Sequence, residues 1–278
     1  MPWLPELFSA PALQLILDQR RRDALLAVPY FDGLLAGDPE PLVASFVGQP
    51  EVHDPVRGRI KGVTAFRGFV AETSAWLLQH HATVGDVEHV IQQRHGFEEV
   101  VLHLDTDRGT VDLPVAVVAE RQPDGRIDEV RVYFTSRPLT GRPALRPPLL
   151  QPDPDLTLPD FVAAYLRAVA VGDVDEVVAT FEPDGYVRES VGGQVHRGAD
   201  GLSAFYTRLF SHGGGIPLEA CAFVGDVRGC AVEYNVVRWG TTQLPPQAGL
   251  SVFMAGPGGG LAAVRDYGDI EPPLHLET

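Results

Sequence analysis

YFDGLLAGDPEPLVASFVGQPEVHDP, residues 30–55, is answered further along the chain by YLRAVAVGDVDEVVATFEPDGYVRES, residues 165–190. Each stretch opens on a tyrosine, reaches Gly-Asp seven residues later and places a carboxylate 24 residues after the tyrosine, at Asp54 and Glu189. Phe46 and Phe181 also match, as do Gly62 and Phe69 with Gly198 and Phe205, the offset between copies moving from 135 to 136 residues. A repeat sets the number of cores to look for. A period this long exceeds any solenoid unit and suits two complete small domains.

The 278 residues are enough for two such domains, each with its own core. Hydrophobic content of 45% and charged content of 21% are ordinary for a globular chain. The net charge of −15 argues against nucleic acid and against anionic membrane surfaces as partners, since both need a basic footprint. No apolar run approaches the roughly 20 residues of a membrane span. The start, MPWLPELFSAP, lacks a basic region ahead of an apolar core, so no secretory signal is read and a cytoplasmic location is expected.

Cys221 and Cys230 would face each other across a hairpin turning at Gly225-Asp226. Two buried thiols are the expected state in a reducing compartment, with a disulfide as the alternative. The nine histidines are scattered, His80-His81 being adjacent with diverging side chains, and no H-x-x-x-H occurs. No metal and no cofactor are expected.

Apolar spacing over 11–28 predicts an extra helix, so residues 1–24 read as a helical extension. Domain 1 is expected over 25–137, a proline-rich linker over 138–158 and domain 2 over 159–272. In the first copy a short helix begins near Pro29 and closes at Gly37-Asp38. A second covers Pro39 to Phe46, strand Glu51 to Asp54 follows, and a third helix spans Val63 to Leu78. Strands are expected near 82–93, 98–105, 111–121 and 127–135. The second copy repeats the plan, with helices near 158–171, 174–182 and 199–211 and strands near 218–224, 228–239, 248–255 and 260–268. The predicted fold class is α+β: two tandem cones, each of three helices on a curved, mostly antiparallel sheet with a pocket between them.

This order, with Tyr30…Gly37-Asp38…His53-Asp54-Pro55, resembles the NTF2-like superfamily, in particular ketosteroid isomerases and SnoaL-like polyketide cyclases. The resemblance covers residues 25–137 and 160–270. It implies a cystatin-type cone and an apolar small-molecule ligand, but not one activity, because the fold hosts isomerases, cyclases, epoxide hydrolases and inert binding modules. Such proteins often pair through their sheets. Here the two halves would pair within one chain, a further homodimer being open.

A buried carboxylate has its pKa raised toward the range of a useful base, and a phenol in the same cavity can donate to a developing oxyanion. By resemblance Asp54 is the base and Tyr30 the oxyanion donor of one site, with Glu189 and Tyr165 in those roles in the other. A tyrosine on an amphipathic helix also serves simply as core, and an acid before Pro55 also organises a turn. In the isomerases a second acid on a late strand completes the oxyanion hole. Its place falls near Val117 in the first copy and Ser251 in the second.

Glu88 and Glu219 hold matching places on the first long strand of each copy. Pointing inward, each would pair with Asp54 or Glu189 as general acid, as in tandem polyether epoxide hydrolases. Pointing outward, each is a solvated strand residue. Arg265-Asp266-Tyr267 resembles limonene-type epoxide hydrolases and makes Asp266 a further candidate. The first copy has Arg131-Val132-Tyr133, without the acid, and Arg131 and Arg265 are then exposed or paired at the domain interface. Two functional readings follow. One is a cofactor-independent acid–base enzyme that isomerises, cyclises or opens the epoxide of a polyketide-like molecule. The other is a non-catalytic binding protein.

Overall fold

The computed structural model describes residues 30–91, 95–107, 109–190 and 193–270, the side chains of 86–91 excepted. The helix expected over 11–28 lies outside them. The first copy contains α1 (Tyr30–Ala36), α2 (Pro39–Ala44), β1 (Glu51–Asp54), β2 (Gly58–Lys61) and α3 (Val63–Gln79). Long strands β3 (Thr83–Ile91), β4 (His95–Thr106), β5 (Gly109–Arg121) and β6 (Ile127–Tyr133) complete it. A short α4 (Arg137–Thr140) leads into the linker. The second copy runs α5 (Asp160–Val171), α6 (Val174–Ala179), β7 (Phe181–Arg188), β8 (Val195–Arg197) and α7 (Gly198–Leu209). It closes with β9 (Leu218–Gly225), β10 (Gly229–Trp239), β11 (Thr242–Ala255) and β12 (Leu261–Tyr267).

The repeated Gly-Asp has a local cause. Gly37 and Gly172 end α1 and α5 at φ of 69° and 83°, a left-handed conformation that costs glycine little. The next residue caps the following helix: Asp38 accepts from the Glu40 amide at 3.1 Å, and Asp173 from the Glu176 amide at 3.0 Å. Each tight corner folds a short helix back and aims the preceding tyrosine helix at the sheet.

The two sheets have one topology, β2-β1-β6-β5-β4-β3 and β8-β7-β12-β11-β10-β9. Pairing is antiparallel except where β1 meets β6 and β7 meets β12. The helices of each copy pack on one face. Tyr30, Phe66, Leu77, Val115 and Val117 belong to one core, and Tyr165, Phe205, Tyr206, Val232 and Phe253 to the other. The expected α+β cone is therefore present twice.

The opposite faces of the sheets meet each other. Phe97, Ala116, Val118, Leu250 and Val252 form a third cluster drawn from both copies. This is why residues 115–119 read VAVVA without alternation: Val115 and Val117 face helices, while Ala116 and Val118 face the other sheet. Two ion pairs cross the interface as pseudo-symmetry mates. Arg131 grips Glu233 through Nε at 2.6 Å and Nη2 at 2.8 Å, with the Tyr133 hydroxyl donating to the same carboxylate at 2.6 Å. Arg265 grips Glu99 through Nε at 2.8 Å and also through Nη2, with Tyr267 donating to it. Glu99, Arg131 and Tyr133 each lie 134 residues before their counterparts. The two arginines are thus paired at the interface, and the halves associate as a pseudo-dimer within one chain.

The linker is fastened rather than loose. Arg146 donates to the carbonyls of Val132 at 2.6 Å and His53 at 2.7 Å, and its guanidinium lies 4.8 Å from the Tyr133 ring centre. Further on, the Asp153 amide donates to Ala220 at 2.9 Å and Asn235 Nδ2 to Leu150 at 3.0 Å.

Two local expectations need correction. The helix expected to 182 ends at Ala179, because Thr180 caps it and Phe181 begins β7, which pairs with the last strand. The β9–β10 hairpin turns over Asp226–Arg228, where the Asp226 side chain accepts from the Arg228 amide at 2.8 Å. Cys230 therefore pairs with Gly225, not Cys221, and both thiols are free. No helix among the described residues is long and apolar enough to cross a membrane.

Candidate functional site

Each copy encloses a cavity between its helices and the concave face of its sheet. The first, of about 470 Å³, is lined by Tyr30, Asp54, Phe69, Trp76 and Leu113, among others. Asp54 closes β1, and its Oδ1 accepts from the amides of Val56 and Arg57, both at 2.8 Å. One carboxylate oxygen thus shapes the turn into β2, and the same residue lines the cavity. The turn-organising role expected of Asp54 is present, and its place on the cavity wall is compatible with the other. Burial raises its pKa against the opposing pull of those two amides and of Arg146 and Arg57.

Tyr30 projects from α1 and is 1% exposed. Its hydroxyl has no protein hydrogen-bond partner. Burial raises its pKa well above the ordinary value, and the nearby charge of Asp54 adds to this. A buried phenol without a partner is uncommon in folded proteins.

The second cavity, of about 430 Å³, is built differently. Asp266 on β12 lines it, with Ser251 Oγ donating to its carboxylate at 2.6 Å and the Tyr234 hydroxyl 3.0 Å from that Oγ. Burial lifts the Asp266 carboxyl to about 6; Ser251 and Arg188 oppose the rise, and the charge of Glu189 adds to it. Glu189 lines the same cavity but is salt-bridged, bonding Arg208 at 2.7 Å and also His196. Tyr165 is buried with its hydroxyl 2.9 Å from that of Tyr206, so here the phenol is already engaged. Burial, then Tyr206, raises its pKa.

The sequence-predicted residues therefore separate. Tyr30 and Asp54 come together in one cavity, and Tyr165, Glu189 and Asp266 in the other. Glu219 is exposed on β9, opposite Asn235, because its strand register turns it away from the helices. The side chain of Glu88 lies outside the described residues. Val117 is fully buried in the first core, and Val132 lines the first cavity where Asp266 lines the second. Ser251 is the donor that holds Asp266. Reading the sequence alone misses Tyr234 and Arg208, which line the cavity, and Tyr206, which bonds Tyr165 from behind it. Trp76 and Trp239 do line their respective cavities.

Among the described residues, one group has ligand atoms close enough for a metal: Glu51, His53 and Glu129, all within 4.8 Å. Its carboxylates are already committed, Glu51 to Arg59 and Lys61 and Glu129 to Arg131. The hydrogen bond from Arg59 leads the effects that hold the Glu51 carboxyl down at about 2.

Residues 162–267 match the family model of the SnoaL-like domain. No curated protein matches the chain. Among solved structures, the epoxide hydrolase/cyclase-like enzyme SalBIII, described in pyran ring formation in the polyether salinomycin, is 20% identical. That match covers 41% of this chain and 90% of that one, with a TM-score of 0.33. A protein of ketosteroid isomerase-like fold from Catenulispora acidiphila, in complex with trimethylamine, is 18% identical over 41% of this chain and 88% of that one, TM-score 0.35. An NTF2-like protein from Burkholderia xenovorans is 20% identical over 41% and 86%, TM-score 0.32. Residues 162–267 are thus similar to the SnoaL-like domain, and the first half of the chain repeats the sheet topology of the second.

Proposed function

We propose that the chain is a cofactor-independent acid–base enzyme for an apolar small molecule, with the second chamber opening an epoxide by an internal hydroxyl. The observation that carries this reading is Asp266, an enclosed carboxyl lifted to about 6 that shares its chamber with a second acid, Glu189. A carboxyl in that range holds a proton for part of the time near neutrality and is strong enough to give it up. Asp266 protonates the epoxide oxygen as its C–O bond breaks. The attacking hydroxyl forms the new C–O bond and passes its proton to Glu189. Aromatic walls, including Trp239 and Phe205, hold the apolar remainder.

The first chamber supports a different step. Tyr30 offers an unused donor and Asp54 a carboxylate with raised pKa, the pair needed to move a proton beside a carbonyl. Asp107 also lines this chamber, but Val132 stands where Asp266 stands in the second, which favours the second chamber for epoxide opening.

The test is a hydroxy-epoxide with an alkyl tail, followed by chromatography for cyclic ether and diol. Asp266→Asn should slow ring closure by about 10²–10⁴-fold. A native rate in that variant would remove Asp266 from the reaction.

A further inference from the structure

Arg146 belongs to the segment that joins the two copies, and it is held by one half while reaching into the other. Its carbonyl accepts from the Ala248 amide of β11 at 2.9 Å, which fastens its backbone to the second sheet. Its side chain crosses to the first copy, donating through Nη2 to the His53 carbonyl at 2.7 Å and through Nη1 to the Val132 carbonyl at 2.6 Å. His53 precedes Asp54 at the end of β1, and Val132 lines the first chamber from β6. The β1–β6 register runs out where His53 stands opposite Arg131, so the planar fork ties the two strands together beyond it. The guanidinium lies 4.8 Å from the Tyr133 ring centre, and the Tyr133 hydroxyl is fixed by Glu233 of the second copy.

The hydrogen bonds of this guanidinium go to carbonyls, and its charge acts on what surrounds it: Tyr133, Asp54 and Glu233, with Arg131 as a like charge. Asp54 in turn faces Tyr30 of α1 and Arg57 of the turn into β2. Arg57 shares its charge with Glu72 of α3, and Asp107, after β4, lines the same chamber. Glu51, His53 and Glu129 on β1 and β6 form their own cluster with Arg59, Lys61 and Arg131. The second copy reaches a similar arrangement from within its own sheet. Arg188 of β7, at the repeat offset of 135 residues from His53, lies 5.1 Å from the Tyr267 ring centre and donates to its hydroxyl at 2.5 Å. In the first copy that strand position is a histidine, and the linker brings the arginine instead.

We propose that Arg146 is the positioning residue of the first chamber, holding the end of β1, and with it the Asp54 carboxylate, beside Tyr30. The group that completes this chamber is thereby anchored on the other half of the chain. The inference rests on Asp54 being the base of that chamber, and it adds that a nearby positive charge favours the ionised form a base needs.

Carboxyl titration of the full chain by NMR, with Asp54→Asn beside it to assign the resonance, tests this without any turnover. Arg146→Gln removes the charge while its amide can still donate to a carbonyl, and the Asp54 midpoint should move up. Arg146→Lys keeps the charge and should leave the midpoint close to that of the parent; it carries the test alone should the glutamine variant not fold. An unchanged midpoint in Arg146→Gln, or a raised one in Arg146→Lys, overturns the inference. Deuterium uptake into isomesityl oxide, a small apolar β,γ-unsaturated ketone, gives the second readout. In Arg146→Gln the acid limb of its pH profile should move up with the midpoint, making uptake on that limb about tenfold slower. An equal fall at every pH would mark a merely structural loss and overturn the inference. No uptake by the parent at any pH would remove the proton-moving reading of the chamber, while the titration still decides whether Arg146 governs Asp54.

Discussion

Asp266→Asn should make the protein more stable while disabling the second chamber. The carboxyl is lifted from an ordinary 3.8 to about 6, chiefly by burial. At 1.36 kcal/mol per pH unit, that difference corresponds to about 3 kcal/mol by which folding opposes ionisation. The sign follows from the direction. A group whose folded pKa lies above its unfolded value favours the fold fully only below the unfolded value, and that support is lost as pH rises through the folded one. Below about pH 3.8 the acid is protonated in both states, and Asn should change stability little. Above about pH 6 the native chain bears the full cost of a buried carboxylate, and Asn does not. Its amide oxygen can still accept from Ser251 Oγ. The expected gain grows from near zero around pH 3.5 to about 1–3 kcal/mol around pH 8. Urea unfolding at both pH values measures it, with cyclic-ether formation followed in parallel. A gain of the same size at both pH values would show that packing, not ionisation, is responsible. No gain near pH 8 would refute the argument that Asp266 is held against its charged state.

Tyr30→Phe should abolish deuterium uptake into apolar β,γ-unsaturated ketones, as should Asp54→Asn. Its stability should stay level or rise by up to about 1 kcal/mol, because the hydroxyl has no protein partner to lose; a clear loss of stability would contradict this. Glu189→Gln should lower the Asp266 pKa, since burial remains but the repulsion from Glu189 is gone, and carboxyl titration by NMR reads the shift directly. At the interface, Glu99→Gln should cost about 3–5 kcal/mol because it strips Arg265 of its carboxylate, whereas Glu233→Gln should cost clearly less because Arg131 keeps Glu120 and Glu129. Equal losses in the two variants, measured by urea unfolding, would show that the extra carboxylates around Arg131 carry no compensation.

The fold was legible because its punctuation is local. Gly37-Asp38 and Gly172-Asp173 end one helix and cap the next by contacts within a few residues, so the chain announces the corner wherever it occurs. Long apolar strands announce themselves in the same way. The strand β7 was hidden because its pairing partner, β12, lies some 80 residues further on, and a run such as VDEVVATF serves a helix or a strand equally well. The second chamber was legible only in part for the same reason. Tyr165 and Glu189 stand at the repeated spacing. What each one bonds, however, depends on Tyr206 and Arg208, brought in by α7. Glu219 does not match Glu88 after all: Glu88 pairs with Glu99, whose counterpart Glu233 pairs with Ala222, while Glu219 falls opposite Asn235 and is exposed.

The two halves differ in a pattern of their own. Positions that bind the sheets together are kept as pairs: Glu99 with Glu233, Arg131 with Arg265, Tyr133 with Tyr267. Positions that line the chambers are not, for Val132 stands where Asp266 stands, and the free hydroxyl of Tyr30 has its counterpart in the engaged hydroxyl of Tyr165. In a dimer of identical subunits every change made in one chamber appears in the other. Joining the subunits through a fastened linker lifts that constraint while the interface still demands matched residues. The symmetry of the interface and the asymmetry of the chambers are then two results of the same covalent connection.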